Sequence, residues 1–357
     1  MRRIFLTLGL ALLTFTLTAA TYGPGTTAAN YLKIGLGAKA AALGENFTAG
    51  ADDSSAVYWN TAGLGSVRAA RVDFMQLNWL AGISAKTVFG AYPLSDKDTL
   101  GAYMLMLDTP QDKEMVYISS DENGGGGTDG TETGSKFKSA ISVLNLGYSR
   151  IISRKLDAGL GLKVINEDLA GDQATGLALD AGIIYKDLLP SLKLGLTVQN
   201  IGLKALRPDE EFPLTLAGGA EYSLLLWRNK LNLLADVRLP NDNAPRLGLG
   251  VEYWLGNILA GRVGYNTFSQ LSLGLGLSFA GLAADYAYVP MGELGVTHRI
   301  SVGYSFDALQ RTARPAEAAA EKIQFNESQQ PEPFAALTEI PQGAGSNSAD
   351  VLSQFDF

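Results

Sequence analysis

The chain has 357 residues, of which 41 are glycine, one is histidine and none is cysteine, and its net charge is −8. Charged residues make up 18%, below the roughly 25% of soluble domains, and the acidic balance argues against nucleic acid as a partner. Without cysteine there is no disulfide or lipoprotein anchor, and a lone histidine gives a zinc site or a histidine-based triad little to draw on.

Arg2 and Arg3 precede an apolar run from Ile4 to Leu17, and Thr18-Ala19-Ala20 supplies small residues for cleavage. This predicts a secretory signal peptide over 1–20, which takes no part in the fold. A membrane-anchor helix needs about 20 apolar residues, and this run is too short. No later apolar run approaches the length of a transmembrane helix.

A small segment follows from 21 to about 70. Gly35, Gly37, Gly44, Gly50, Gly63 and Gly65 divide it into short pieces able to bend inside a narrow space. Asp52 and Asp53 stand before Ser54 to Asn60, where they can cap a short helix; ion or ligand binding is the alternative reading.

From 71 to 307 the pattern has period two. Leu271, Leu273, Leu275, Leu277 and Phe279 alternate with Gln270, Ser272, Gly274, Gly276 and Ser278, and Ile300, Val302, Tyr304 and Phe306 alternate with Arg299, Ser301, Gly303 and Ser305. One face is greasy and the other small and polar, as expected when lipid lies outside and water or a polar plug inside. About fourteen segments of roughly ten residues fit strands that cross a bilayer at a tilt. Their spans are 72–80, 84–93, 99–107, 138–150, 155–165, 175–186, 191–199, 213–223, 230–239, 246–254, 257–265, 269–279, 281–289 and 297–306. The long connections, Asp108–Phe137, Asn166–Ala174, Asn200–Phe212 and Pro290–Val296, all fall on one side, as outer loops do. The expected fold is therefore all-β: an antiparallel transmembrane barrel of about fourteen strands in a bacterial outer membrane, with membrane lipid as its first partner.

Alternation puts Lys86, Lys163, Lys193, Arg238, Arg246, Arg262 and Arg299 on the inner face with Asp157, Asp180, Glu221, Asp236, Glu252 and Asp285. A selectivity ring would concentrate one sign. The balanced set favours paired networks and a plugged interior over an open ion channel. His298 alternates with Ile300 and points outward near the rim, which favours a structural role over catalysis. The Gly-Leu-Gly pieces lack GxGxxG spacing, and Gly124–Gly127 lacks the Lys-Ser/Thr of a phosphate loop. Neither an enzyme nor a cofactor is expected. The polar region 308–357, with Arg314-Pro315, Gln329-Gln330-Pro331-Glu332-Pro333 and Gly343–Ser348, reads as a disordered periplasmic tail.

The segment Leu32 to Leu64, which contains Asp52-Asp53 and Trp59-Asn60, closely resembles the N-terminal signature of the PorV/PorQ family of FadL-like outer-membrane proteins. Val198-Gln-Asn-Ile-Gly202 and the stretch from Asp285 to Tyr304 match as well. The resemblance implies a fourteen-stranded barrel whose segment 21–70 folds into the lumen as a hatch, with Asp52, Asp53, Trp59 and Asn60 as its motif. It also implies, as the leading reading, a part in type IX secretion as a scaffold or shuttle for exported proteins, with other secretion components as partners; uptake of hydrophobic ligands is the alternative. The usual Asn-Pro-Ala of the hatch is Asn60-Thr61-Ala62 here, which removes a fixed proline after Trp59. For the secretion reading, Ile201, Leu203 and Leu206 are candidate apolar anchors on an outer loop. For the transport reading, an apolar pocket between hatch and lumen and a kink opening the wall are expected.

Overall fold

Strict alternation makes the wall. In the strand Gln270–Phe279, Leu271, Leu273, Leu275 and Leu277 point outward and are exposed, while Ser272, Gly274 and Gly276 are buried inside. Leu275 is 59% exposed, an arrangement that is stable only against lipid. In the computed structural model, which describes residues 23, 25–79, 82–110, 112–117, 130–227 and 229–306, the same pattern runs around the molecule.

The strands, in chain order, are β1 (Arg71–Asn78), β2 (Ser84–Pro93), β3 (Asp98–Asp108), β4 (Asp112–Tyr117), β5 (Gly130–Phe137), β6 (Ser139–Ser153), β7 (Leu156–Leu169) and β8 (Asp172–Lys186). They continue with β9 (Leu192–Lys204), β10 (Thr215–Leu226), β11 (Asn229–Pro240), β12 (Arg246–Leu255), β13 (Leu259–Asn266), β14 (Gln270–Phe279), β15 (Leu282–Pro290) and β16 (Val296–Ser305). Fourteen of them form a closed antiparallel barrel in which β3 pairs with β6 and β1 pairs with β16. β4 and β5 pair only with each other, as a hairpin in the connection from β3 to β6. Barrel closure leaves no strand edge within the membrane, where unpaired backbone groups would be costly. Both ends of the barrel chain, Arg71 and Ser305, lie at the side of the short turns, the periplasmic side.

Each of the fourteen expected strands is present, with four corrections. The loop expected at Asn166–Ala174 is a tight turn at Ala170-Gly171, whose φ values of 57° and 96° match the twist of a two-residue hairpin, so β7 and β8 run further outward. β9 likewise continues to Lys204, so Ile201 and Leu203 belong to a strand and not to a loop. Leu206 does lie in the connection but is only 8% exposed, because it folds inward onto the apolar core. Lys86 faces outward, since Ala85, Thr87, Phe89 and Ala91 set the inner face of β2. It stands two residues from the outer end of its strand, where its long stem can reach the interface. The signal peptide, Gly124–Gly127 and the tail 308–357 lie outside the described residues.

The core lies inside the barrel. Between 25 and 70 the chain forms a 3-10 turn (Asn30–Lys33), short helices at Ala38–Ala42 and Ala56–Trp59, and a second 3-10 turn (Thr61–Ser66). Ala38, Ala41 and Ala42 pack on Ala287 and Val289 of β15, while the turn Thr61–Ser66 packs on β3 and β6–β8 across the lumen. Leu36, Phe47, Val57, Trp59 and Leu64 join Met75, Phe89, Tyr103, Val143 and Ile165 in one apolar cluster. The chain can press this close to the wall only where side chains are absent. Gly44 has φ 69°, and a Cβ there would sit 2.7 Å from the backbone nitrogen of Tyr265.

Candidate functional site at the outer mouth

A cavity of about 280 Å³ opens at the outer end of the barrel, between the 25–70 segment and the wall. Ile34 and Gly35 come from the segment, and Trp79, Phe268 and Met291 come from three strand connections on the outer side. Lys33, Glu45, Arg246 and Arg299 add charge. Arg299 Nη1 donates to the Gly35 carbonyl at 2.6 Å and lies 3.3 Å from Glu45 Oε1. Arg246 Nη1 is 3.9 Å from Glu45 Oε2, and its guanidinium stands 4.2 Å from the centroid of the Phe268 ring. Lys33 Nζ meets the buried Asp242 carboxylate at 2.5 Å, which also accepts from Thr27 Oγ1. Glu45 thus stands between two arginines. The lining sets four apolar side chains, Ile34, Trp79, Phe268 and Met291, among charged and amide groups.

Below this cavity the segment is bolted to the wall. Trp59 Nε1 donates to the Leu36 carbonyl at 2.7 Å, and the Arg238 guanidinium lies 5.1 Å from the Trp59 ring centroid. Asn60 Nδ2 donates to the carbonyls of Thr48 (2.9 Å) and Ile183 (3.2 Å), and its Oδ1 accepts from Ala62 N. Asp53 Oδ1 accepts from Ser55 N at 2.9 Å and Ser55 Oγ at 2.6 Å, fixing the start of helix Ala56–Trp59. Asp52 instead accepts from Lys39 Nζ at 2.6 Å. Burial alone would raise the Asp52 pKa, but Lys39 and then Lys193 outweigh it and hold the carboxyl down at about 2. The Asp53 pKa is raised, by burial first and against the pull of Lys39. The structure therefore brings Trp59 and Asn60 into the seal between segment and wall, and gives the aspartates structural bonds.

Charges of both signs on the inner wall pair with one another. Lys163 meets Asp180 at 2.8 Å, Lys193 meets Glu221 at 2.9 Å, and Arg262 bridges Glu252 (2.7 Å) and Asp285 (2.6 Å). No face of one sign results, which fits a sealed lumen better than an ion-selective one.

One flank of the mouth is covered by the connection from β9 to β10. Its Leu206 and Phe212 are buried in the apolar cluster. Arg207 ties it down through Glu167 (2.9 Å) and Asp172 (3.0 Å), and Ala28 N donates to the Glu211 carbonyl at 2.9 Å. The two carboxylates, Glu167 foremost, raise the Arg207 pKa further. Tyr31 Oη donates to Glu167 at 2.7 Å; burial, reinforced by that bond, raises the phenol pKa well above 10. At the base of this cover the motif Val198–Gly202 forms a bulge. Leu179 pairs with Ile201 and Ala181 with Val198, so Asp180 faces both Gln199 and Asn200, and Asn200 has φ 62°. Asp180 Oδ1 accepts from Asn200 N at 2.8 Å, and Lys163 Nζ donates to Asn200 Oδ1 at 2.6 Å. Beyond Gln199, β9 pairs with β8 alone.

Sequence reasoning found Arg246 and Arg299 by alternation but missed Trp79, Phe268 and Met291. They sit in connections, where no period marks a face, and Glu45 lies on a segment without strands.

No family model matches the chain, and no curated protein matches it. Among solved structures it is similar to the CymD monoaromatic hydrocarbon channel, at 13% identity and a TM-score of 0.53, with 76% of this chain and 98% of that chain covered. It is also similar to the P. putida toluene transporter TodX, at 13% identity and a TM-score of 0.52, with 76% and 99% covered. These likenesses show the fold alone, and the PorV/PorQ part of the resemblance finds no support in them. The chain is a fourteen-stranded outer-membrane β-barrel of the architecture shared by these channels.

Proposed function

We propose that the protein passes small hydrophobic molecules across the outer membrane, with the outer cavity as receiving site and the 25–70 segment as a hatch. The observation that carries this is the cavity itself, in which Ile34 of the segment and Trp79 and Phe268 of the wall line one space. A ligand held there touches the element that must yield for it to go further. The barrel shared with channels described as carrying monoaromatic hydrocarbon and toluene adds support at the level of fold. On this reading the protein is a transporter and not an enzyme. Capture of exported proteins is the weaker reading, because Ile201 and Leu203 are strand residues and Leu206 is buried, leaving that loop without its proposed anchors.

The test uses the absence of native cysteine. A Cβ on Gly147 would lie 3.0 Å from Thr61 Cγ2, so Thr61→Cys with Gly147→Cys should tie the hatch to β6. In proteoliposomes, uptake of toluene should fall on oxidation and return on reduction. Uptake indifferent to the crosslink would remove the hatch from the transport route. Trp79→Ala with Phe268→Ala should slow uptake severalfold without unfolding the barrel, whereas capture of exported proteins, if it occurs, should ignore both changes.

A further inference from the structure

The lipid-facing wall is not uniformly covered by large side chains. On β6–β9 a groove of about 510 Å³ is sunk into the outer surface. Its floor is Ala158 of β7 and Ala181 of β8, and its banks include Leu160, Ile183 and Leu196. On β14 the same outward face carries successive leucines instead.

Chemistry changes at the β6 bank. Arg150 pairs across the ladder with Ala158, faces outward with Tyr148 and Ile152, and its side chain is 54% exposed. It stands three residues before the periplasmic end of β6, about 10 Å along the strand. A guanidinium on a lipid-facing surface is costly unless it reaches the headgroup level. Arg150 Nη1 donates to Asp98 Oδ1 at 2.9 Å. The same nitrogen donates to Tyr148 Oη at 3.5 Å. The turn beneath adds two exposed cations, Arg154 and Lys155.

We propose that this groove is a binding site for one glycerophospholipid of the periplasmic leaflet, with an acyl chain lying over Ala158 and Ala181 and the phosphodiester on Arg150. The groove opens sideways into hydrocarbon, so its occupant is apolar and comes from the bilayer. The cations at its periplasmic end select an anionic headgroup oxygen there, and a guanidinium offers a phosphate paired N–H donors. A lipid held in this way is retained when annular lipid is stripped away. It braces β6–β8, whose inner faces carry the turn Thr61–Ser66.

The experiment is native mass spectrometry of the full chain released from mild detergent, with phosphatidylglycerol, phosphatidylethanolamine and diacylglycerol as added probes. The intact protein should keep one phospholipid of either headgroup and hold diacylglycerol roughly tenfold more weakly or worse. Ala158→Leu with Ala181→Leu fills the groove with side chains suited to lipid and should reduce retention by roughly tenfold or more, as should Arg150→Gln. Ala284→Leu, an outward alanine on β15, should leave retention unchanged and controls for the substitution itself. The proposal is overturned if the filled variant keeps phospholipid as the intact protein does, if diacylglycerol binds equally, or if filling the groove abolishes a dimer and no lipid is lost. Melting temperature measured on all variants separates lost binding from lost fold.

Discussion

Asn60 occupies the space that Gly182 leaves empty. Its amide crosses from the 25–70 segment to bond the Ile183 carbonyl of β8, and a Cβ on Gly182 would overlap Asn60 Oδ1. Segment and wall are therefore fitted at the level of single atoms. Gly182→Ala is expected to destabilise by about 1–3 kcal/mol through overpacking. Asn60→Ala is expected to cost a similar amount, because the Thr48 and Ile183 carbonyls lose their buried donor. Denaturant titration in detergent reads both. The pair changed together should cost less than the sum, since the alanine at 60 makes room for the one at 182.

Leu275→Arg puts a charge on the lipid face and is expected to cost about 2–4 kcal/mol near the bilayer midplane. From alternation alone, the neighbouring inward Gly274→Ser looks harmless. The packing says otherwise: a Cβ there would overlap Ala42 and approach the Tyr286 carbonyl at 2.6 Å, so a cost of about 1–3 kcal/mol is expected. Gly261, with nothing within 4 Å of a Cβ, should accept alanine for under about 1 kcal/mol. A lipid-refolding titration of the three variants checks the order.

The Lys39–Asp52 pair predicts an acid dependence. The Asp52 carboxyl is depressed to about 2 in the fold, against about 4 in an unfolded chain. A depressed carboxylate stabilises above its unfolded pKa, and that contribution is lost as pH falls through the folded value. The thermal stability advantage of the natural protein over Lys39→Met should shrink as pH falls, and the share due to Asp52 should be lost between about 4 and 2. An advantage that stays constant over that range would show that the pair is not titrating as described.

Arg207 fastens the cover formed by the β9–β10 connection. Arg207→Gln should change overall stability little, since solvent screens such partly exposed ion pairs. It should nonetheless raise the rate of toluene uptake into proteoliposomes, because Leu206 and Phe212 lose the tether that keeps them on the core. High salt should raise uptake by the natural protein and leave the variant nearly unaffected.

The barrel was legible because lipid outside and a crowded lumen inside impose one rule on every strand, and Leu271 to Phe279 obey it without interruption. Lys86 was misplaced because Ser84-Ala85-Lys86-Thr87 carries a weak pattern, with a small residue on the inside and a charge on the outside. The reach of β7–β9 was hidden because Asn166, Asp168 and Lys204 look like loop residues, although strands that continue beyond the membrane carry polar side chains freely. The outer cavity was hardest to foresee. Trp79, Phe268 and Met291 are far apart in sequence and meet only because the barrel closes. The Arg207 clasp depends on the bulge at Asn200, which no periodicity encodes.

The 25–70 segment also touches both sides of the barrel seam. Gly37 N approaches Met75 Sδ of β1 at 2.9 Å, and Ala38 N donates to Ser301 Oγ of β16 at 3.0 Å. β1 and β16 are the first and last strands made, and once paired they wall off the lumen. The segment contacts both strands, so once docked it holds the seam from inside. The β1–β16 junction is therefore fastened twice, by its own ladder and by residues 37 and 38 behind it.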